Sequence, residues 1–144
     1  MRPNMRAPWH LRVVGIAALL WNAVGALDYV MTQTRNAQYM SAFTPEQLAF
    51  FYGLPAWTVA AWAIGVWGAV LGSLLLLFRK GIAVWFFLAS LIGVALTTLQ
   101  NYVLSNGLEV MGGPGSVLFT AVIFLVAIGL YLYARAMRER GVIG

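Results

Sequence analysis

Four long apolar runs, at residues 11–31, 55–78, 82–103 and 115–134, restrict this chain more than any other feature. Each is long enough for the roughly 20 helical residues that cross the hydrocarbon of a bilayer. A spanning segment must satisfy its own backbone N–H and C=O groups, so only helices or a closed barrel qualify. The runs are too long, and alternate too little, for barrel strands. The expected fold is all-α, an integral membrane four-helix bundle with a short periplasmic interfacial helix, in one domain over 1–144. Composition agrees: 62% of residues are hydrophobic and 9% charged, where a soluble chain carries about a quarter charged.

The charge is uneven. Arg2, Arg6, Arg12, Arg79, Lys80, Arg135, Arg138 and Arg140 flank the runs on one side, and Arg35 alone lies on the other. Basic residues collect on the cytoplasmic side of membrane helices, so both termini are expected there. The net charge of +5 then reads as a topology signal and a contact with anionic headgroups. No nucleic-acid partner is expected. The basic start, apolar centre and small residues Val24 and Ala26 also fit a cleaved signal peptide, but the run continues to Met31, which favours a retained helix.

In the first outer loop Thr44-Pro45-Glu46-Gln47 reads as a helix start, with Thr44 and Gln47 as a capping box. The aromatic segment that follows is expected on the membrane surface or folded over the bundle mouth. In the second run Gly65, Gly68 and Gly72 form a smooth stripe for close helix packing, within the bundle or as a homodimer seam. Trp21, Trp62 and Trp67 are expected to lie deep, filling space between helices or stacking on a pigment, a quinone or a sugar ring.

Chemistry concentrates in the stretch 21–36, WNAVGALDYVMTQTRN, which carries Asn22, Asp28 and Arg35. Thr58, Thr97, Thr98, Gln100, Asn101, Ser116 and Thr120 fall in the same outer half of the membrane. Ser73 is almost alone in the inner half. This pattern predicts a cup open to the outside, because polar groups at membrane depth face the bundle interior rather than lipid. The ligand-binding candidates are Asn22, Asp28, Arg35, Thr97, Gln100 and Asn101. On an ideal wheel Asp28, Thr32 and Arg35 fall within about 60°. Arg35 is expected to reach Asp28, Glu46 or Glu109.

Several classes drop out. The lone His10 cannot make a bis-histidine haem site, and no thiol chemistry exists without cysteine. No Ser-His-Asp set or phosphate-cradling glycine loop is present, so no enzyme, metal or cofactor is expected.

The segments APWH at 7–10, LWNAVGALDY at 20–29, MTQTRN at 31–36, FTPEQL at 43–48, NYVLSNG at 101–107 and YAR at 133–135 resemble a group of small four-span bacterial inner-membrane proteins. Members are commonly labelled "sugar transporter" or hypothetical protein. The resemblance covers nearly the whole chain and implies a bacterial inner-membrane location and a sugar-like solute. It assigns no binding residues. The helix count also resembles DoxX-type proteins. Small multidrug exporters and SWEET-type transporters contrast with it, the first by their weak charge bias and the second by their Pro-Gln pair. The expected function is binding or transport of a small polar solute through the outer cup, by a homo-oligomer. A non-catalytic subunit of a larger respiratory, photosynthetic or transport complex is the alternative.

Overall fold

A computed structural model describes residues 7–110 and 114–144. Arg2 and Arg6 lie outside the described residues, as does the side chain of Ser116. The chain forms α1 (Trp9–Gln33), α2 (Ala37–Met40), α3 (Pro45–Tyr52), α4 (Ala56–Leu77), α5 (Ala83–Leu99), α6 (Gly107–Val110) and α7 (Pro114–Glu139). A π-helical turn, Gln100–Leu104, prolongs α5. Four helices are long and apolar enough to cross a membrane: α1, α4, α5 with its extension, and α7. The architecture is an all-α four-helix bundle. Its outer surface is apolar: Ile64, Leu71, Trp85, Ile92, Leu125 and Leu132 are each at least 45% exposed. Such a surface suits lipid rather than water.

The helices pack in a row, α1 on α4, α4 on α5 and α5 on α7. The glycine stripe belongs to the middle of that row. A Cβ at Gly65 would lie 3.4 Å from the Val94 nitrogen, one at Gly68 3.2 Å from the Phe86 carbonyl, and one at Gly72 3.0 Å from the Phe87 ring. All three contacts are on α5, so the stripe is used inside the chain and is not a homodimer seam. Gly93 answers from α5: a Cβ there would sit 2.5 Å from the Ala61 carbonyl. The close approach lets the Ser90 hydroxyl donate to the Gly65 carbonyl at 2.5 Å.

The two ends of the bundle differ. We call the end carrying Arg12, Arg79, Lys80, Arg138 and Arg140 the basic end. There Leu11, Leu76, Phe87, Ala134, Met137 and Ile143 form a closed core drawn from four helices and the tail. The tail folds back after Gly141, whose φ of 74° is the left-handed value that glycine accepts without cost. Gly144 then exchanges backbone hydrogen bonds with Gly81 and Arg79, at 2.9 and 3.1 Å. Arg79 follows the Phe78 cap of α4 at φ 59°, a conformation that costs a non-glycine residue about 1 kcal/mol. Its Nε donates to the Val142 carbonyl at 3.0 Å, which ties turn to tail. The loops and α3 lie at the opposite end.

Candidate functional site

Between α1, α4, α5 and α7 lies a half-open cavity of about 620 Å³. That size lies within the range of small-molecule sites. Its floor is the closed core: Phe87 and Leu130 belong to both. Its walls are mostly apolar, with Val66, Val94, Ile123 and Val126 among them. Asn22, Asp28, Thr97 and Asn101 bring polar groups to it from two helices.

The roof takes the second of the two places expected for the aromatic segment, over the bundle mouth. Thr44 and Gln47 form the expected capping box, at 3.2 and 3.1 Å, and start α3. The Gln47 side chain then donates to the Val110 carbonyl at 3.2 Å and holds α3 across the mouth. Phe43, Phe50, Phe51 and Leu54 line the cavity from above. The mouth of the cup is partly covered.

Asp28 is bonded through a residue that the sequence reading missed. Asn36 accepts from the Tyr39 backbone N–H at 3.0 Å and caps α2. That turn aims the Tyr39 hydroxyl at Asp28, to which it donates at 2.5 Å. The carboxylate acceptor favours the neutral phenol, with desolvation acting in the same direction, and the Tyr39 pKa is pushed up from 10.0 to about 12. The signal in the sequence was Asn36 three residues before Tyr39, an N-cap spacing, but only the fold brings that turn back to α1.

Arg35 and Gln100 do not line the cavity. Arg35 follows the end of α1 and takes a φ of 52°, so the helical wheel that grouped it with Asp28 and Thr32 no longer applies. Its guanidinium lies 4.2 Å over the Tyr52 ring. That cation–π contact takes the place of the expected ion pair. Gln100 is buried at the start of the π-helical turn, and its amide donates to the Ser105 hydroxyl at 2.7 Å. Thr58 is fully buried and lies outside the lining, with its hydroxyl unpartnered among the described residues. Thr120 lines the wall and bonds the Tyr102 hydroxyl at 2.9 Å.

The remaining groups share a chemical bias. Asn22 spends its amide protons on the Ala69 carbonyl at 3.3 Å and the Ser73 hydroxyl at 3.0 Å. This places Asn22 level with Ser73, deeper than its expected partners near Asp28. Thr97 and Thr98 donate to their own helix, to the Gly93 and Val94 carbonyls, both at 2.8 Å. Asn101 Oδ1 is buried without a partner among the described residues. An unpaired buried oxygen costs roughly 1–3 kcal/mol. Asp28 and Asn101 Oδ1 therefore offer acceptors to the cavity, while Asn22, Tyr39, Thr97 and Thr98 have committed protons to protein acceptors.

No group of three His, Asp or Glu side chains gathers as a metal site among the described residues. His10 bonds Tyr133 through Nδ1 at 2.6 Å and joins α1 to α7 at the basic end. No protein-family model, curated protein or solved structure matches this chain.

Proposed function

We propose that this chain is a small bacterial inner-membrane protein that binds a small molecule inside its bundle. Asp28 is the charged contact, held by Tyr39, and Thr97 and Asn101 are further polar groups on the cavity wall. The observation that carries this reading is the cavity itself, which joins an acid, an amide with a free oxygen and an apolar chamber. Ionisable groups at membrane depth are costly and belong to functional sites more often than to packing. The uneven basic residues support termini on the cytoplasmic side and a mouth on the periplasmic side.

The core below Phe87, built among the described residues from Leu11, Leu76, Ala134 and Met137, favours binding over passage. The accessory-subunit alternative loses part of its motive, because α5 already covers the glycine stripe. Native mass spectrometry of protein released gently from its own membranes tests the reading. Wild-type protein is expected to retain a small molecule that Gly25→Leu releases. Gly25 lines the cavity one turn before Asp28, and a Cβ there meets nothing within 4 Å, so leucine projects into the chamber beside the acid without displacing a helix. Equal retention by both proteins would remove the cavity from the proposal.

A further inference from the structure

Two features of the cavity remain unexplained by a sugar-like solute. The first is the donor and acceptor balance. A polyol presents both donors and acceptors and needs both in return. Here Tyr39, Asn22, Ser90, Thr97 and Thr98 have already donated to protein acceptors. The Asp28 carboxylate and the Asn101 carbonyl oxygen remain as acceptors, and Arg35, the nearest base in sequence, is turned away onto Tyr52. A primary ammonium has three donors and no acceptor, with the charge that Asp28 lacks beside it. The second feature is the shape. Below the polar level the lining is apolar down to Val126 and Leu130. At the side, α1 and α7 flank the row and meet through His10 with Tyr133 and through Trp21 with Phe119, ring centres 6.4 Å apart. Val24 and Phe119 line the cavity from these two helices and are 68% and 60% exposed. The seam between them is a side opening toward lipid, while α3 partly covers the mouth.

Resting on the binding reading above, we infer that the occupant is a cationic amphiphile, a protonated amine on an apolar body, and that it enters from the bilayer between α1 and α7. The ammonium sits among the Asp28 and Asn101 oxygens, and the apolar body lies along α7 toward the floor. Lipid supplies such a molecule at high local concentration, because its body partitions there before it reaches the protein.

The test uses the full chain in bilayer discs of zwitterionic lipid, with n-decylammonium as the probe and n-decanol, decanoate and glucose as comparators. Equilibrium dialysis of each against wild type and Gly25→Leu subtracts simple partition into lipid. The amine is expected to bind at least about tenfold tighter than the alcohol or the acid. Asp28→Asn is expected to erase that preference while its thermal unfolding stays near wild type. Stronger binding of glucose or decanol, lost in Gly25→Leu, would overturn the amine assignment and leave the cavity as the site. Identical behaviour of wild type and Gly25→Leu toward every probe would sink both readings.

Entry is tested separately, since the chain has no cysteine of its own. Joining Trp21→Cys to Phe119→Cys with a flexible bis-maleimide is expected to slow amine uptake at least about tenfold. Joining Gln47→Cys to Val110→Cys, which locks α3 over the mouth, is expected to leave uptake unchanged. The reverse pattern would refute entry from the side.

Discussion

The basic end and the loop end of this bundle are built from the same four helices and reach opposite states. At the basic end Leu11, Leu76, Ala83 and Ala134 are at most 1% exposed and the tail plugs the remaining space with Val142 and Ile143. At the loop end the helices leave a chamber of about 620 Å³ and a roof of aromatic rings. The difference follows from side-chain chemistry. Within a membrane, lipid is as apolar as leucine, so close packing and interhelical hydrogen bonds hold helices together. Small residues and leucine at the basic end allow that contact. Asp28, Thr97 and Asn101 at the other end line the chamber instead of a closed core.

The largest expected contrast comes from removing a ring at each end. Phe87→Ala takes a side chain from the floor that is 1% exposed, and should cost about 3 kcal/mol of unfolding free energy. Phe51→Ala at the roof should cost under about 1 kcal/mol. Denaturant unfolding in mixed micelles reads both, and equal losses would break the comparison. Gly93→Ala sharpens it next. The added methyl meets the Ala61 carbonyl and the Gly65 backbone and has no flexible side chain to displace. Forcing α4 and α5 apart should cost about 1–3 kcal/mol in the same assay.

Asn22→Ala is a smaller change at the boundary between the two regions. It removes two hydrogen bonds between α1 and α4. At about 0.6 kcal/mol for an average interhelical bond in a membrane, the loss should be near 1 kcal/mol. The smallest effect concerns Tyr39, whose phenolate absorbance should appear near pH 12 rather than 10.0. The folded state favours the neutral phenol. Its contribution to stability is therefore complete below the unfolded value of 10.0 and fades as pH rises through about 12. In Asp28→Asn the phenolate transition should fall toward 10.0, because the first cause of the shift, the hydrogen bond to the carboxylate, has changed. An unmoved transition would mean that Tyr39 and Asp28 are not bonded.

The helices were legible because their length and apolar content are local properties. The expected runs 11–31 and 55–78 fall within two residues of α1 and α4 at each end. The fourth run stopped at 134, but α7 continues to Glu139, since YARAMRE keeps helical propensity after its hydropathy ends. The site was legible in part. Asn22, Asp28, Thr97 and Asn101 reach the cavity because polar residues on an apolar helix turn inward. Arg35 was misplaced because the wheel assumed a helix that ends at Gln33. Tyr39 was missed because its approach depends on how a loop returns to α1, and the same return decided between the two places expected for the α3 aromatics.

By itself the sequence determined four apolar helices, the bias of basic residues to one side, the capped start of α3 and the polar character of one half. These follow from hydropathy, charge and capping, which act within a few residues. The tertiary structure alone decided that the glycine stripe faces α5, that the tail closes the basic end, that α3 partly covers the chamber, and that Tyr39 meets Asp28. Each of these joins groups from separate elements, and such contacts depend on how helices cross and loops return, which no local pattern encodes.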